Sequence, residues 1–421
     1  FQTASKLAAE LAGAKPADTA RQLAYARILA FIGMTYWNEG QLDAAQLGFE
    51  SAQRVLQQAE AQAANDPTLQ YEFTTIDNNI GHVLEARGRL NEAAIAYRNM
   101  LAMCRKLVAA RPDKTEWAVQ LGGAHNNLGK LALMRGDLAT AITEYNADDA
   151  IETALSARDP QDNDQRENML LVRAILGRTL ALTAEREAGM RDLQQAVDIA
   201  TSLIAVDPHN TDYQEEVAHY SMQLARLQRL SDQLPAARAL TAQSLARYRT
   251  LTRHDPTNSV WQREFAEAQV EQAEQSRAAG QPDAAHAQAQ AALAILAPLL
   301  VRQPDDRAIA LANVSAKLLL AAVSPDAQAA QQLRNDALTS MQAVKSGRED
   351  PRLRALQVEA LLALGRKPEA QPLIRPLWDS GYRDAALLAL LLRERIDYPL
   401  NAAFQQKLAA IGGQPREQIR H

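Results

Sequence analysis

Small and large apolar side chains recur along this chain every 48 positions. We call each set of residues that share this spacing a column. The clearest column holds a very small residue inside a predicted helix, directly after a large apolar one in six of seven cases. Its members are Gly33, Gly81, Gly129, Gly177, Ala225, Ala273 and Ala321. Glycine inside a helix costs about 1 kcal/mol relative to alanine, so close packing must compensate for it. The column therefore predicts helices that a partner helix approaches closely at one fixed point.

A second column lies twelve residues further along and again holds small residues. Its members are Ala45, Ala93, Ala141, Gly189, Ala237 and Ala285, followed four positions later by Phe49, Tyr97, Tyr145 and Leu193. Between the two columns come short segments such as Gly88-Arg89-Leu90 and Gly136-Asp137-Leu138. Glycine provides the left-handed conformation that ends a helix, and the next helix follows at once. Each period is thus predicted to be a helical hairpin with a tight turn.

Proline marks where one hairpin gives way to the next. Pro112, Pro160, Pro208, Pro256 and Pro304 follow one another at 48 positions, and Pro16 is in phase with them. Proline cannot continue a helix and restrains the residue before it. Junctions between hairpins are therefore predicted near 16, 64, 112, 160, 208, 256 and 304.

These columns resemble the tetratricopeptide repeat, with its Leu-Gly pair, central glycine turn, alanine and aromatic residue. The segment from His125-Asn126-Asn127-Leu128-Gly129 to Tyr145 shows all of them. The usual unit has 34 residues, so about fourteen extra residues must be shared between the two helices or their loop. Long units of this kind resemble arrays in bacterial multidomain signalling proteins, where the array is joined to a kinase, Toll/interleukin-receptor-like or DNA-binding domain.

The resulting prediction is an all-α, right-handed α-solenoid of about seven 48-residue hairpins over residues 1–349. The pattern weakens after about residue 300, and residues 350–421 read as a shorter hairpin with a C-terminal helical cap, which covers the last apolar face of a solenoid. Phe1 falls in the column of Phe49 and Tyr97. We therefore expect the chain to begin inside the second helix of a preceding unit.

Composition agrees with a helical repeat protein and excludes several other classes. Apolar residues make up 47% of the 421 residues but aromatic residues only 5%, and the net charge is −5 with a pI of about 5.9. Such mild acidity argues against a nucleic-acid partner, which needs a basic surface. The longest apolar stretch, Ala291–Val301, is broken by Pro298, so we expect no membrane insertion by this segment. Arginine outnumbers lysine, which fits a bacterial source; the sequence leaves open whether the chain is cytoplasmic or extracytoplasmic.

The chain carries no motif for nucleotide or metal chemistry. Glu215 and His219 share a helix face at i, i+4, but one imidazole and one carboxylate do not make a metal site, so a structural or solvated role is favoured. The acidic cluster at Asp159, Asp162 and Asp164 is interpreted as helix capping. The single cysteine, Cys104, excludes internal disulfides and is expected to be a packed core thiol. We predict no catalytic residues, no metal, no cofactor and no enzymatic activity.

The resemblance implies that the first helix of each hairpin lines a concave groove, with the residue after the small column pointing into it. These positions are Met34, His82, Lys130, Arg178, Arg226 and Glu274. His82, Lys130, Arg178 and Arg226, with Asn79 and Asn127 beside them, form the candidate partner-binding stripe. Asparagine side chains suit the backbone of an extended peptide, and the cations suit carboxylates. The expected Lys–Asn pairing of a carboxylate clamp is not met, and an ordinary solvated helix face is the alternative.

The predicted function is a non-catalytic interaction or sensor module that binds a peptide or protein, an acidic one included, within a larger bacterial signalling protein. The alternative is an architectural scaffold that forms oligomers through its ends or its convex face. Tyr36 and Trp37 are open to two interpretations, an aromatic anchor for a partner or packing against an upstream repeat.

Overall fold

The computed structural model describes residues 2–63, 66–304, 306–344 and 347–412. These residues form 19 α-helices and no strand. The first helix, α1 (Gln2–Ala14), precedes eight helical hairpins, which we number as repeats one to eight. Repeats one to four are α2–α3 (Thr19–Asn38, Leu42–Glu60), α4–α5 (Pro67–Ala86, Leu90–Ala110), α6–α7 (Thr115–Met134, Leu138–Arg158) and α8–α9 (Asn163–Ala181, Arg186–Val206). Repeats five to eight are α10–α11 (Thr211–Arg229, Leu234–His254), α12–α13 (Ser259–Ala278, Pro282–Arg302), α14–α15 (Arg307–Val323, Ala327–Ala343) and α16–α17 (Pro351–Ala363, Lys367–Asp379), followed by α18 (Ala385–Arg393) and α19 (Ala402–Gly412).

The chain divides into two compact units, which are described separately. The first unit comprises the residues up to Leu131 together with Ala150–Leu155, and the second comprises Ala132–Asp149 together with the residues from Ser156 onward. Within each unit, the two helices of a hairpin pack on each other and the second helix packs on the first helix of the next hairpin. First helices also contact one another, α2 with α4 in the first unit and α8, α10, α12 and α14 in succession in the second. This all-α solenoid of helical hairpins is the predicted fold class.

The long repeat consists of long helices rather than a long loop. In repeat five, α10 and α11 have 19 and 21 residues, and repeat six has helices of 20 and 21 residues. The extra residues of the 48-residue period therefore lengthen both helices, which enlarges the area over which neighbouring hairpins pack.

A capping column explains where six of the eight first helices begin. Asp18, Asp66, Asp162, Asn210, Asn258 and Asp306 are in phase, and the side-chain oxygen of each accepts a hydrogen bond from a backbone N–H in the first turn of the helix that follows. Asp162 thus has the capping role expected for it. Such caps stabilise a helix by about 1 kcal/mol each. Pro160, Pro208 and Pro256 lie two residues before three of these positions, and Pro112 lies two residues before Lys114, all in the loops between hairpins.

In six of the eight hairpins the turn contains a left-handed residue. Gly40, Gly88, Gly136 and Gly280 have φ between 72° and 78°, and Asp232 takes the same place in repeat five with φ 59°. Glycine adopts this conformation without the steric cost that a Cβ brings. The predicted glycine turn is therefore present in these four repeats. Repeat five uses Asp232 instead, and the turns of repeats four and seven contain no left-handed residue.

The small columns are the points of closest approach between the paired helices, as expected. A Cβ added to Gly177 would lie 2.7 Å from the carbonyl oxygen of Gly189, and one added to Gly81 would lie 2.3 Å from the Tyr97 ring. Phe49, Tyr97, Tyr145 and Leu193 are all buried. Small residues in one helix thus make room for the large residue that the other helix inserts.

Within the second unit, the C-terminal helices pack back onto earlier repeats. One hydrophobic core joins side chains of repeats three, four and eight with those of α18 and α19: Leu133, Tyr145, Leu176, Leu361, Leu377, Leu387 and Phe404 are among its members. The backbone N–H of Arg383 also donates to the carbonyl oxygen of Leu182, at 2.6 Å. The cap therefore covers more than the last repeat, which the sequence did not predict.

Helix α13 has the length and apolar composition of a membrane span. In the structure it packs between α12 and α14 through a buried face that includes Ala285, Ala289, Leu296 and Leu299. Pro298 lies inside the helix and does not end it. Phe1, on which the expectation of an upstream unit depends, lies outside the described residues. The division of the chain at 349/350 stays a prediction.

Candidate partner-binding site

The six predicted stripe residues fall into both units. Asn79, His82, Asn127 and Lys130 belong to the first unit and lie on α4 and α6, while Arg178 and Arg226 belong to the second and lie on α8 and α10. All six are on first helices. Each set is described within its own unit.

In the first unit, polar contacts join two predicted site residues of α6 to side chains of α4. Asn127 is buried, and its Nδ2 donates to Oδ1 of Asn78 at 2.7 Å. The Lys130 ammonium lies 2.8 Å from Oε2 of Glu85. Asn79 is half-buried on the same helix as Glu85. The asparagine and lysine of repeat three therefore both contact α4.

His82 packs against the large aromatic residue of its own hairpin. Its Nδ1 lies 2.9 Å from the Tyr97 hydroxyl, and the two rings meet edge to face with centroids 5.6 Å apart. The Tyr97 hydroxyl also donates to Oε2 of Glu85, at 3.2 Å. Burial, followed by the nearby Lys130 ammonium, lowers the pKa of His82. The imidazole is therefore neutral at neutral pH and adds no positive charge to the stripe.

In the second unit, Arg226 is used within the chain. Its Nη2 lies 2.8 Å from Oδ2 of Asp384, the residue that caps α18. The Asp384 carboxylate raises the pKa of Arg226 further above its usual value. Asp384 is 5% exposed at its side chain, and Arg226 is 35% exposed. This guanidinium holds the C-terminal helices rather than presenting an unshared charge.

Arg178 is half-buried on α8, near polar groups of the neighbouring repeats. Its charge acts to lower the pKa of His219 and Tyr220 on α10 and that of Glu267 on α12. It therefore belongs to a dense charged cluster on the first helices of repeats four to six.

The stripe is thus more polar and less cationic than the sequence suggested. Glu85 and Asp384, the partners of Lys130 and Arg226, were both missed. Neither occupies a position that the 48-residue pattern marks, so the repeat gave no signal for them. In the first unit, the two stripe columns continue into repeat one as Phe31, which is 57% exposed, and Met34, which is 36% exposed. An apolar end therefore adjoins the polar part of the stripe on the first helices.

No protein-family model matches the chain, and no curated protein does. Among solved structures, the apo form of the quorum sensor NprR from B. thuringiensis is 10% identical with a TM-score of 0.52, covering 85% of this chain and 88% of that one. A tetratricopeptide repeat protein from Parabacteroides merdae is 13% identical with a TM-score of 0.40, covering 80% and 98%. The human IFIT1 dimer with PPP-AAAA is 13% identical with a TM-score of 0.44, covering 97% and 84%.

At these identities the likeness concerns the fold. The likeness to NprR, with its TM-score of 0.52, agrees with the consecutive pairs of helices. The chain has a tetratricopeptide-like fold, a solenoid of helical hairpins with extended, 48-residue units.

Proposed function

We propose that the chain is a non-catalytic interaction module that binds an extended peptide or protein segment along the first helices of repeats one to three. The supporting observation is the set of exposed and half-exposed side chains in adjoining columns there: Phe31, Met34, Asn79, His82 and Lys130. Asn127 lies below this surface and fixes the approach of α6 to α4. The NprR likeness adds one precedent, since that protein is described as a quorum sensor.

The chemistry of these side chains defines the partner. Half-buried amides such as Asn79 can pair with the peptide backbone of an extended segment. Lys130 is 39% exposed and shares its charge with Glu85, so a partner carboxylate would compete with Glu85 for it. Phe31 and Met34 offer apolar surface to a hydrophobic side chain. We propose a partner segment with an apolar residue over repeat one and an acidic residue over repeat three. The chain itself is proposed to be part of a larger bacterial signalling protein.

A peptide-library selection on the purified chain tests this proposal. Selected peptides should lose at least about tenfold in affinity for Lys130→Glu and for Asn79→Ala, as expected when a charge-assisted or buried hydrogen bond is removed. Arg98 is an exposed cation on α5, a second helix. Arg98→Glu makes the same charge change away from the stripe and should bind normally. Equal affinity in all three variants would show that the first helices of this unit are not the site.

A scaffold that assembles through its end is the second candidate, and one feature of α1 favours it. Leu7 and Leu11 lie one turn apart on this helix and are 57% and 49% exposed. An adjacent pair of exposed leucines is suited to self-association. Light scattering should then show an oligomer that Leu7→Glu with Leu11→Glu converts to a monomer. If the mass in solution is the same with and without the two substitutions, the chain does not self-associate through Leu7 and Leu11.

A further inference from the structure

We propose that Glu215, His219 and Glu264 form a binding site for a divalent transition-metal ion, with Zn²⁺ the ion that best fits these ligands. Glu215 and His219 lie one turn apart on α10, and Glu264 comes from α12, the first helix of the next repeat. One possible ligand atom from each of the three side chains lies within 4.8 Å of the others. The sequence pairs only the first two; the structure supplies the third. This site goes beyond the proposed peptide-binding function and does not depend on it.

The imidazole is the part of the cluster that packing alone does not account for. His219 Nδ1 is buried and has no hydrogen-bond partner among the described residues, although it lies 3.3 Å from Oε1 of Glu264. Only 12% of the His219 side chain is exposed. A buried nitrogen without a partner is costly. Imidazole nitrogens are among the commonest metal ligands in proteins, so a metal ion would give this nitrogen a partner.

The two carboxyl groups lie close enough together to hold one cation. Glu215 comes from α10 and Glu264 from α12, and an oxygen of each lies within 4.8 Å of the other and of a His219 ring nitrogen. Two carboxylates this close repel each other unless a positive charge lies beside them. A divalent ion can provide that charge and accept the His219 lone pair.

The groups around the cluster orient it and set its charge. The Tyr248 hydroxyl donates to Oε2 of Glu264 at 3.1 Å, fixing the carboxylate from behind, as outer hydrogen bonds do at metal sites. Arg263 contacts Oε1 of Glu264 at 2.8 Å and Glu267 at 2.9 Å. Arg178 is the second cation nearby. The carboxylates of Glu215, Glu264 and Glu267 therefore lie near two guanidinium groups. Arg263 can keep its contact with Glu267 when a metal ion binds Oε1 of Glu264.

The histidine is particular to one place in the array. The positions in phase with His219 in the other described repeats are Arg27, Thr75, Gly123, Leu171, Glu267 and Ser315. A histidine required by hairpin packing would be expected to recur, as the small column does. The imidazole with two carboxylates favours a transition ion over Mg²⁺ or Ca²⁺, which prefer all-oxygen sites. Three protein ligands leave a fourth position for water or a partner group. With Zn–ligand distances of about 2.0–2.2 Å, the side chains need to close by about 1 Å.

Calorimetric titration of chelator-treated chain with Zn²⁺ tests the site. One equivalent should bind, and His219→Ala and Glu264→Gln should each weaken binding at least about 100-fold, since each removes a ligand. His209 is exposed in the loop before α10, so His209→Ala is the matched control and should bind as the parent does. Absence of a stoichiometric site, or unchanged binding in His219→Ala, would overturn the proposal.

A measurement on the unaltered chain keeps the test independent of whether the variants fold. Co²⁺ should replace Zn²⁺ and give the intense visible bands of a four- or five-coordinate ion, which one equivalent of Zn²⁺ abolishes. Zn²⁺ should also raise the unfolding temperature, because it binds only the folded chain. Weak bands typical of six-coordinate, largely hydrated Co²⁺ would mean surface binding only and would also overturn the site.

Discussion

Arg226 and Asp384 are 158 positions apart in the chain, yet the guanidinium Nη2 lies 2.8 Å from the carboxylate Oδ2. Arg226 is on α10 of repeat five, and Asp384 begins α18 beyond the last hairpin. The pair closes a contact within the second unit that no nearest-neighbour packing of repeats would produce.

Asp384→Asn should destabilise the second unit by about 1–3 kcal/mol. The amide can still cap α18, but it leaves the Arg226 charge without its buried partner; the part exposure of Arg226 keeps the loss below that of a fully buried pair. Urea unfolding followed by circular dichroism measures it. Asp379→Asn removes the partner of Arg375 in an exposed pair and should change stability by less than about 0.5 kcal/mol. If both substitutions lower the free energy of unfolding by the same small amount, the Arg226–Asp384 pair does not stabilise the second unit.

Gly81→Ala should cost about 1–3 kcal/mol, because its Cβ would overlap the fully buried Tyr97 ring. Gly13→Ala is the matched control, since a Cβ there meets nothing within 4 Å. That change should be neutral or stabilising by about 0.5–1 kcal/mol in a helix. The unfolding temperature should therefore fall for Gly81→Ala and stay the same or rise for Gly13→Ala. An unchanged unfolding temperature in Gly81→Ala would contradict the close-approach interpretation of the small column.

Positions 232 and 280 are equivalent turns and should respond in opposite senses. Asp232→Gly relieves a left-handed non-glycine residue and should stabilise by about 0.5–1 kcal/mol, whereas Gly280→Ala should destabilise by about 1 kcal/mol. A Cβ added to Gly280 meets nothing within 4 Å, so the expected loss of stability comes only from its φ of 72°. Unfolding midpoints measure both. If Asp232→Gly destabilises instead, the aspartate side chain contributes more to the turn than the strain it carries.

Asp77 should make the first unit less stable as pH rises. Burial raises its pKa from 3.8 to about 6, so between these values the folded carboxyl is protonated while the unfolded one has ionised. The folded state therefore binds the extra proton, and its advantage is lost as pH rises through about 6. Asp77→Asn keeps the acceptor for Gln53 Nε2 and should match the parent at pH 4. At pH 8 it should exceed the parent by about 1–3 kcal/mol.

The control for this pH effect is Asp113, which is exposed and paired with Arg111. That pairing lowers the pKa of Asp113 to about 2, so its contribution has the opposite sign and is lost only in acid. Asp113→Asn should give no gain at pH 8. Stability measured by urea unfolding from pH 4 to pH 8 separates the two, and a flat difference between parent and Asp77→Asn would contradict the raised pKa.

The sequence predicted the parts of this fold that repeat. Gly81, Gly177 and Ala237 lie where their columns placed them because every hairpin must solve the same packing problem. Contacts that occur only once in the array leave no periodic signal in the sequence. Asp384 reaches Arg226 only through the packing of the C-terminal helices, and Glu264 joins His219 only because α10 and α12 are neighbours. The cationic groove residues stay a prediction, and the sequence could not name their neighbours for the same reason. A column shows which side chains share a face, but not which carboxylate lies beside Lys130 or Arg226.

The return of α18 to repeat five has a consequence for how this array can change length. An open solenoid can gain or lose a hairpin with little disturbance, because each hairpin depends only on its neighbours. Here an inserted hairpin between α11 and α16 would carry Asp384 away from Arg226 and separate Phe404 and Leu387 from the core they share with Tyr145. These contacts therefore fix the number of hairpins between α11 and α16. A hairpin can be gained or lost without breaking them only in the part of the array outside this stretch.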